Sequence, residues 1–231
     1  MESQTAVVTG VNGKMGQAIC RTLAAQGYRV VGVDVAAQCV LDVPYVQFDL
    51  CNAQDIPRLL DDISRDYGVI RVLVNNAGVY TAKQYFDAEL ADFDRTFAVN
   101  VRAPFFLARE VATRIKAAGG KGAIVNLSSI VAKTGSPVVD YGASKAALSN
   151  LTRATSKFLG PLGVRVNAVA PGFINTALTE RVSDERREEL LAPSALRRAG
   201  DPEEIATVVA FLVSDAASYI TGTVVEADGG S

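Results

Sequence analysis

Short aliphatic and β-branched runs alternate along the whole chain with longer segments in which apolar positions recur every three or four residues. The short runs predict strands over residues 6–8, 29–33, 45–48, 72–75, 123–127, 165–169 and 223–226. The longer segments predict helices near 15–25 and 53–67, one near 90–100 that runs on through 103–117, and others over 141–159 and 202–213. Strands that alternate with helices in this way point to an α/β fold: a doubly wound parallel sheet of about seven strands with helices on both faces. One stretch breaks the rhythm. Residues 173–198 carry a charged helical pattern, Glu-Arg-Val-Ser-Asp-Glu-Arg-Arg-Glu-Glu-Leu-Leu, with no strand beside it, which predicts either a mobile lid or a solvated surface helix.

Composition narrows the class. With 231 residues, 49% of them hydrophobic and 21% charged, the chain is long enough for one α/β domain over residues 1–231 with a sizeable core. A net charge of -2 with the two signs interspersed offers no footprint for nucleic acid, and no apolar run reaches membrane-spanning length. The first strand-like run opens at residue 5, which leaves no room for a signal or transit peptide and predicts a cytoplasmic protein. Cys20, Cys39 and Cys51 are odd in number and lack C-x-x-C spacing, so they read as reduced packing residues. Histidine is absent altogether. That excludes Ser-His-Asp and Cys-His hydrolase schemes and every His-based metal site, and no metal is expected. Acid–base chemistry must fall to Tyr, Lys, Asp, Glu or Ser.

Tyr141 and Lys145 are placed for it. They stand at i and i+4, on one face of a helix, twelve residues after the pair Ser128-Ser129 that closes an apolar run. A free phenol, with a pKa of about 10, is a poor base at neutral pH, and a nearby ammonium favours its ionised form. At the other end of the chain the first strand runs into Thr9-Gly10-Val11-Asn12-Gly13-Lys14-Met15-Gly16, a glycine turn opening a helix, where bare N–H groups can hold a pyrophosphate. The second strand ends in Asp34, 18 positions beyond Gly16. A carboxylate there accepts hydrogen bonds from ribose hydroxyls and repels a 2′-phosphate, which favours NAD over NADP. Lys14 pulls towards NADP, as a basic side chain in the turn.

As an ordered set these residues resemble the short-chain dehydrogenase/reductase family, in its small single-domain branch, over nearly the whole chain. The set comprises Thr9-Gly10 with the glycine turn, Asp49, Asn75-Asn76-Ala77-Gly78, Asn100, the serine pair, Tyr141 with Lys145, Asn167 to Gly172 with Thr176, and Asp228-Gly229-Gly230. The resemblance implies a Rossmann-type fold and an NAD(P)-dependent enzyme acting on CH–OH groups. Tyr141 would be the acid–base, Lys145 would lower its pKa and hold the nicotinamide ribose, Ser129 would bind the substrate oxygen, and Asn100 would fix a water joining Lys145 to solvent. Gly10, Asn12, Gly13, Lys14, Met15 and Gly16 would surround the pyrophosphate, and Asp49 and Leu50 the adenine. Asn76, Ala77 and Gly78 would steady the cofactor, and Pro171, Gly172 and Thr176 would edge the nicotinamide.

Two positions depart from the family pattern. The branch has T-G-x-x-x-G-x-G, whereas here glycine stands at 13 and Lys14 fills the second glycine position. The spacing matches a longer branch whose extra C-terminal domain does not fit in 231 residues. The family also spaces its serine thirteen residues before the tyrosine, which is Ser128, while alignment on the strand selects Ser129. The leading reading is therefore an NAD-dependent enzyme interconverting a secondary alcohol, polyol, sugar or dihydrodiol and its ketone. Its pocket would be lined by Tyr80, Ile130, Val138, Phe173 and the lid. An NADPH-dependent 3-oxoacyl-acyl-carrier-protein reductase is the alternative, which a basic patch of Arg102, Arg109, Arg197 and Arg198 would favour. A non-catalytic dinucleotide sensor is the third. The resemblance further implies a homotetramer, with one interface on helices 103–117 and 141–159 and another near the C-terminal strand.

Overall fold

The computed structural model describes residues 3–176, 179 and 183–231. Seven strands, β1 (Thr5–Thr9), β2 (Arg29–Asp34), β3 (Tyr45–Gln47), β4 (Ile70–Asn75), β5 (Gly122–Leu127), β6 (Val164–Pro171) and β7 (Val224–Ala227), pair in parallel in the order β3-β2-β1-β4-β5-β6-β7. Each lies within two residues of its predicted position. The helices are α1 (Lys14–Ala25), α2 (Ile56–Tyr67), α3 (Leu90–Phe97), α4 (Ala103–Ala118), α5 (Val131–Thr134), α6 (Val139–Leu159), α7 (Asp184–Leu191) and α8 (Pro202–Val213). No helix among the described residues is long and apolar enough to cross a membrane.

Successive strand side chains point to opposite faces, and both faces are apolar. Ala6, Val8, Val72, Val74 and Val125 pack under α1 and α8 against Ile19, Leu23, Ile205 and Val209. Val7, Val31, Leu73 and Ile124 pack on the other face under α2 and α4, against Leu60, Ile63, Leu107 and Ile115. Helix α6 closes that face over β5 and β6 with a polar seam. Asn75 Nδ2 donates to Asn126 Oδ1 at 2.8 Å, Asn126 Nδ2 donates to Thr152 Oγ1 at 2.9 Å, and the Ser128 and Ser149 hydroxyls meet at 2.7 Å.

The continuous helix expected from 90 to 117 is interrupted. Ala98–Arg102 form a π-helical turn in which the Ala103 N–H reaches back five residues to the Ala98 carbonyl. Pro104 is the physical reason: it has no N–H to give the Asn100 carbonyl and cannot continue the regular i→i−4 ladder. The result puts Asn100 on a widened turn. The chain leaves β1 towards β2 on one side and enters β5 from β4 on the other, so a crevice opens at the carboxyl ends of β1 and β4 where the winding reverses.

Since Asn126 is spent on two buried partners, Asn126→Ala is expected to cost about 2–4 kcal/mol of stability, against about 1 kcal/mol for Ile63→Val in the apolar layer. Urea unfolding of the two variants checks this, and equal midpoints would show that the seam contributes nothing beyond volume.

Candidate active site

The crevice is built by close approach of backbone. Gly10 adopts φ +69°, and a Cβ there would lie 2.8 Å from Ala77 Cα; at Gly16 it would lie 2.1 Å from the Gly10 carbonyl oxygen. Gly13 is different: its φ is -69° and a Cβ there would meet the Gly10 carbonyl oxygen only at an ordinary contact of 3.6 Å, so its absent side chain leaves the start of α1 bare towards the crevice. Thr9 Oγ1 accepts from the Asn76 and Ala77 N–H groups, both at 3.1 Å, while Asn76 Nδ2 donates to the Thr9 and Gly10 carbonyls at 2.9 and 3.0 Å. These bonds lock the ends of β1 and β4 together.

The resulting cavity has a volume of about 410 Å³. Gly10, Gly13, Lys14, Met15, Gly16, Asp34, Asp49, Leu50, Asn76, Ala77, Gly78 and Thr176 all line it, as do Val33, Val35, Phe48, Val79, Arg95 and Val99, which sequence reasoning missed. Val33 and Phe48 sit where β2 and β3 end, and Arg95 and Val99 are one turn apart beside Asn100. Both signals are readable once the strand ends and the helix face are known. Asp34 is oriented by the backbone: its carboxylate accepts from the Asn12 N–H at 3.1 Å and the Ala36 N–H at 3.3 Å. Asn12, Pro171 and Gly172 are not among the walls. The Asn12 side chain instead bridges to the Gln38 carbonyl and the Val40 N–H, both at 2.9 Å. Gly172 packs so tightly that a Cβ would lie 2.7 Å from Asp228 Cα.

Beyond Gly78 lie the groups able to move a proton. The Ser129 hydroxyl stands near enough to the Tyr141 phenol to favour its ionised form, and it accepts from the Val131 N–H at 3.4 Å. Ser128 points the other way, buried, donating to the Lys145 carbonyl at 3.0 Å and meeting Ser149. The structure thus brings Ser129 and not Ser128 to the phenol. Tyr80 stands edge-on to Tyr141, ring centroids 5.1 Å apart at 86°. The Lys145 amine is buried, donates to the Leu127 carbonyl at 2.7 Å and lies over the Tyr141 ring, 5.6 Å from its centroid. Asn100, wholly buried, accepts from the Val79 N–H at 2.8 Å and donates to the Val79 carbonyl and the Ser144 hydroxyl, both at 3.0 Å. Its side chain is spent on holding the loop after Gly78 and on α6.

The electrostatics add a cause that the spacing does not show. Burial pushes the Tyr141 pKa up, with the neighbouring Ser129 hydroxyl working against that rise. The amine faces the ring and donates its hydrogen bond to the Leu127 carbonyl rather than to the phenol oxygen. Burial also lowers Lys145 from its ordinary 10.5 to about 8. At neutral pH the pair therefore stands as a protonated phenol beside a cation, the form that donates a proton.

Of the segment 173–198, residues 177, 178 and 180–182 lie outside the described residues, so the lid expectation falls there in part. Within the described part, Arg187 of α7 lies over the Phe173 ring, 5.4 Å from its centroid, and donates to Asn175 Oδ1 at 2.6 Å. Asn175 in turn donates to Asp201, ahead of α8, at 2.9 Å.

A family model described as Enoyl-(Acyl carrier protein) reductase matches residues 10–231. The (3R)-3-hydroxyacyl-CoA dehydrogenase of Mus musculus is 32% identical, covering 100% of this chain and 96% of its own length. The 3-oxoacyl-acyl-carrier-protein reductase FabG of Thermotoga maritima is 34% identical, covering 100% and 98%. Among solved structures, a 4-hydroxyisoleucine dehydrogenase complexed with NADH superposes with a TM-score of 0.93 at 29% identity, over 99% of this chain and 98% of that one. The ligand-free aldohexose dehydrogenase of Thermoplasma acidophilum gives 0.91 at 28%, over 99% and 94%. With a matching family model across almost its entire length, on a seven-stranded parallel sheet of the same order of elements that its residues imply, the chain belongs to the short-chain dehydrogenase/reductase family.

Proposed function

We propose that this protein is an NAD-dependent oxidoreductase interconverting a secondary alcohol (an alcohol, polyol, sugar or dihydrodiol) and its ketone, with Tyr141 as the acid–base group. The observation that carries the reading is the half-buried Tyr141 phenol, with Ser129 beside it and the Lys145 amine over its ring, at the Gly78 end of the nucleotide cavity. Ser129 and Tyr141 would grip one substrate oxygen together. In reduction Tyr141 gives its proton to that oxygen, and the Lys145 cation stabilises the phenolate left behind; in oxidation the phenolate takes the proton back. The nicotinamide cofactor, when bound, supplies or accepts the hydride.

The walls fit such a cofactor. The bare turn at Gly10, Gly13 and Gly16, with Lys14 and Met15 at the start of α1, suits a pyrophosphate, and Asp34 held by two backbone N–H groups suits the ribose hydroxyls. Asp49 and Leu50 would flank adenine, and Asn76, Ala77, Gly78 and Thr176 the rest. Pro171 and Gly172 would act from behind, holding the segment that carries Thr176. NAD is favoured because residues 35–38 are Val-Ala-Ala-Gln, so no cation beside Asp34 on that loop would offset its repulsion of a 2′-phosphate. The 3-oxoacyl-acyl-carrier-protein reductase reading rests on relatives such as that of Thermotoga maritima. Of the four arginines a carrier would meet, Arg109 already pairs with Glu110 at 2.9 Å and Arg198 with Glu204 at 2.7 Å.

Cytoplasmic residence belongs to the proposal and is supported by three unpaired cysteines. So does a homotetramer: Phe93, Phe105 and Phe158 are exposed on α3, α4 and α6, and Phe97, Phe105, Phe106 and Leu151 line a groove of about 730 Å³ there.

Titration with NADH and NADPH is expected to give at least ~10-fold tighter NADH binding, a difference of about 1.4 kcal/mol, that Asp34→Ala abolishes. A preference that survives in the variant would remove Asp34 from the site.

Turnover should follow the protonation states. Against a panel of secondary alcohols, polyols, aldoses and acetoacetyl-CoA, carbonyl reduction is expected to decline as pH rises through about 8, where Lys145 loses its charge. Alcohol oxidation should keep rising at higher pH, towards the ionisation of a phenol whose pKa burial raises. Tyr141→Phe is expected to lower kcat about 10²- to 10⁴-fold with NADH binding retained. Undiminished turnover in that variant would assign the proton to another group.

A further inference from the structure

Helix α3 with its π turn and helix α6 are joined by two buried polar rungs, each linking residues 44 apart in sequence. Thr96 Oγ1 donates to Asp140 Oδ2 at 2.7 Å, and Asn100 Nδ2 donates to the Ser144 hydroxyl at 3.0 Å. Thr96 and Asn100 are four residues apart on one strut, as are Asp140 and Ser144 on the other. Tyr141 lies between the rungs. Its preceding residue is held by Thr96, and its own carbonyl accepts from the Ser144 hydroxyl at 2.7 Å. The same Asn100 that makes the lower rung clamps both backbone groups of Val79, beside Gly78.

The upper rung is unusual in kind. Asp140 is 5% exposed and Thr96 is fully buried; Asp140 Oδ2 has the Thr96 hydroxyl, and Oδ1 has no hydrogen-bond partner among the described residues. A buried carboxylate is costly unless it is paired, so this one is held in place by a single strong donor and by the first turn of α6, whose positive end it faces. A residue that served packing alone would be apolar here.

We propose that the Thr96–Asp140 rung is a positioning device: it fixes the first turn of α6 so that the Tyr141 phenol stays against Ser129. Neither residue touches the reacting atoms. Take away the Thr96 hydroxyl, and Asp140 must move towards water to be solvated, carrying Tyr141 with it. The lower rung and its hold on Val79 are untouched, so the nucleotide cavity keeps its shape. The signature is a loss in the chemical step with cofactor affinity preserved.

The inference rests on Tyr141 acting as proposed above. The test compares Thr96→Val, Thr96→Ser and Asp140→Asn, using acetoacetyl-CoA and NADH as probes. Thr96→Val is expected to lower kcat about 10- to 100-fold, the scale of an ångström's misplacement, with NADH affinity within about 2-fold of the starting protein. Thr96→Ser restores the donor and should restore kcat. Asp140→Asn keeps an acceptor for Thr96 without a buried charge, so it should fold well and keep kcat within about 3-fold. Unchanged kcat in Thr96→Val, a loss confined to NADH binding, or loss of turnover in Asp140→Asn would each overturn the proposal; the last would make the carboxylate itself chemical. If the unaltered protein reduces no carbonyl compound, the enzymatic reading fails, and the rung is then judged by phenol absorbance at 295 nm, each protein set against its Tyr141→Phe partner. Displacement of the Tyr141 titration in Thr96→Val but not Thr96→Ser supports the rung, and coincident titrations overturn it.

Discussion

The site depends on one interaction, the hydrogen bond from the buried Lys145 amine to the Leu127 carbonyl at the end of β5. A parallel strand ends in carbonyls that no neighbouring helix satisfies, and here one of them receives a cation. That bond fixes the amine at the carboxyl edge of the sheet, the edge where the winding reverses and the crevice opens. The surrounding sequence makes room for it. A Cβ on Gly78 would come within 3.3 Å of Lys145 Nζ and 3.6 Å of Asn100 Oδ1, so a side chain at 78 would press on both the cation and the clamp that holds the next residue. Ser128, beneath the amine, ties the Lys145 backbone to β5.

Such a placement costs stability. The amine titrates near 8 in the fold against an ordinary 10.5, so below pH 8 the fold carries an ammonium it would rather deprotonate, at a cost of about 3 kcal/mol. The sign follows from linkage: the folded pKa is the lower one, so stability is fullest above about 10.5 and falls as pH drops through about 8. Two apolar layers, one on each face of the sheet, offset it. A chemical group is thus held charged where the fold alone would place a methylene chain and nothing more.

The sheet was legible because its signal is local and repeated. Val30-Val31-Gly32-Val33 and Ala123-Ile124-Val125 are apolar on both faces, which is the mark of covered parallel strands, and their boundaries were found to within two residues. The Tyr141–Lys145 face was legible for the same reason, since i and i+4 on a long helix leave little choice. What escaped was non-local. The π turn follows from Pro104 acting on a carbonyl four residues earlier inside a segment whose apolar spacing reads as an unbroken helix. The orientation of Lys145 towards a backbone carbonyl carries no side-chain signal, and neither does the burial that raises the phenol's pKa. Asn12 reads as a turn residue facing phosphate, yet it bonds to residues 38 and 40, a loop that composition alone cannot bring near.

These misses share a physical cause, and it bears on how the serine ambiguity is resolved. Counting back from Tyr141 selects Ser128, while strand register selects Ser129. In a strand, successive side chains face opposite ways, so one residue of slip exchanges the crevice for the core. Asn126 and Ser128, two apart, both turn towards α6, where they meet Thr152 and Ser149. Ser129 lies two residues past Leu127, the last residue of β5, and is released from that alternation, and its hydroxyl stands beside the Tyr141 phenol. Spacing along the chain fails here because the loop from 130 to 140 holds the short helix α5 and is free to vary in length, whereas the pleat of β5 is pinned on both sides by β4 and β6. Where a loop and a central strand disagree about which residue faces a site, the strand carries the geometry.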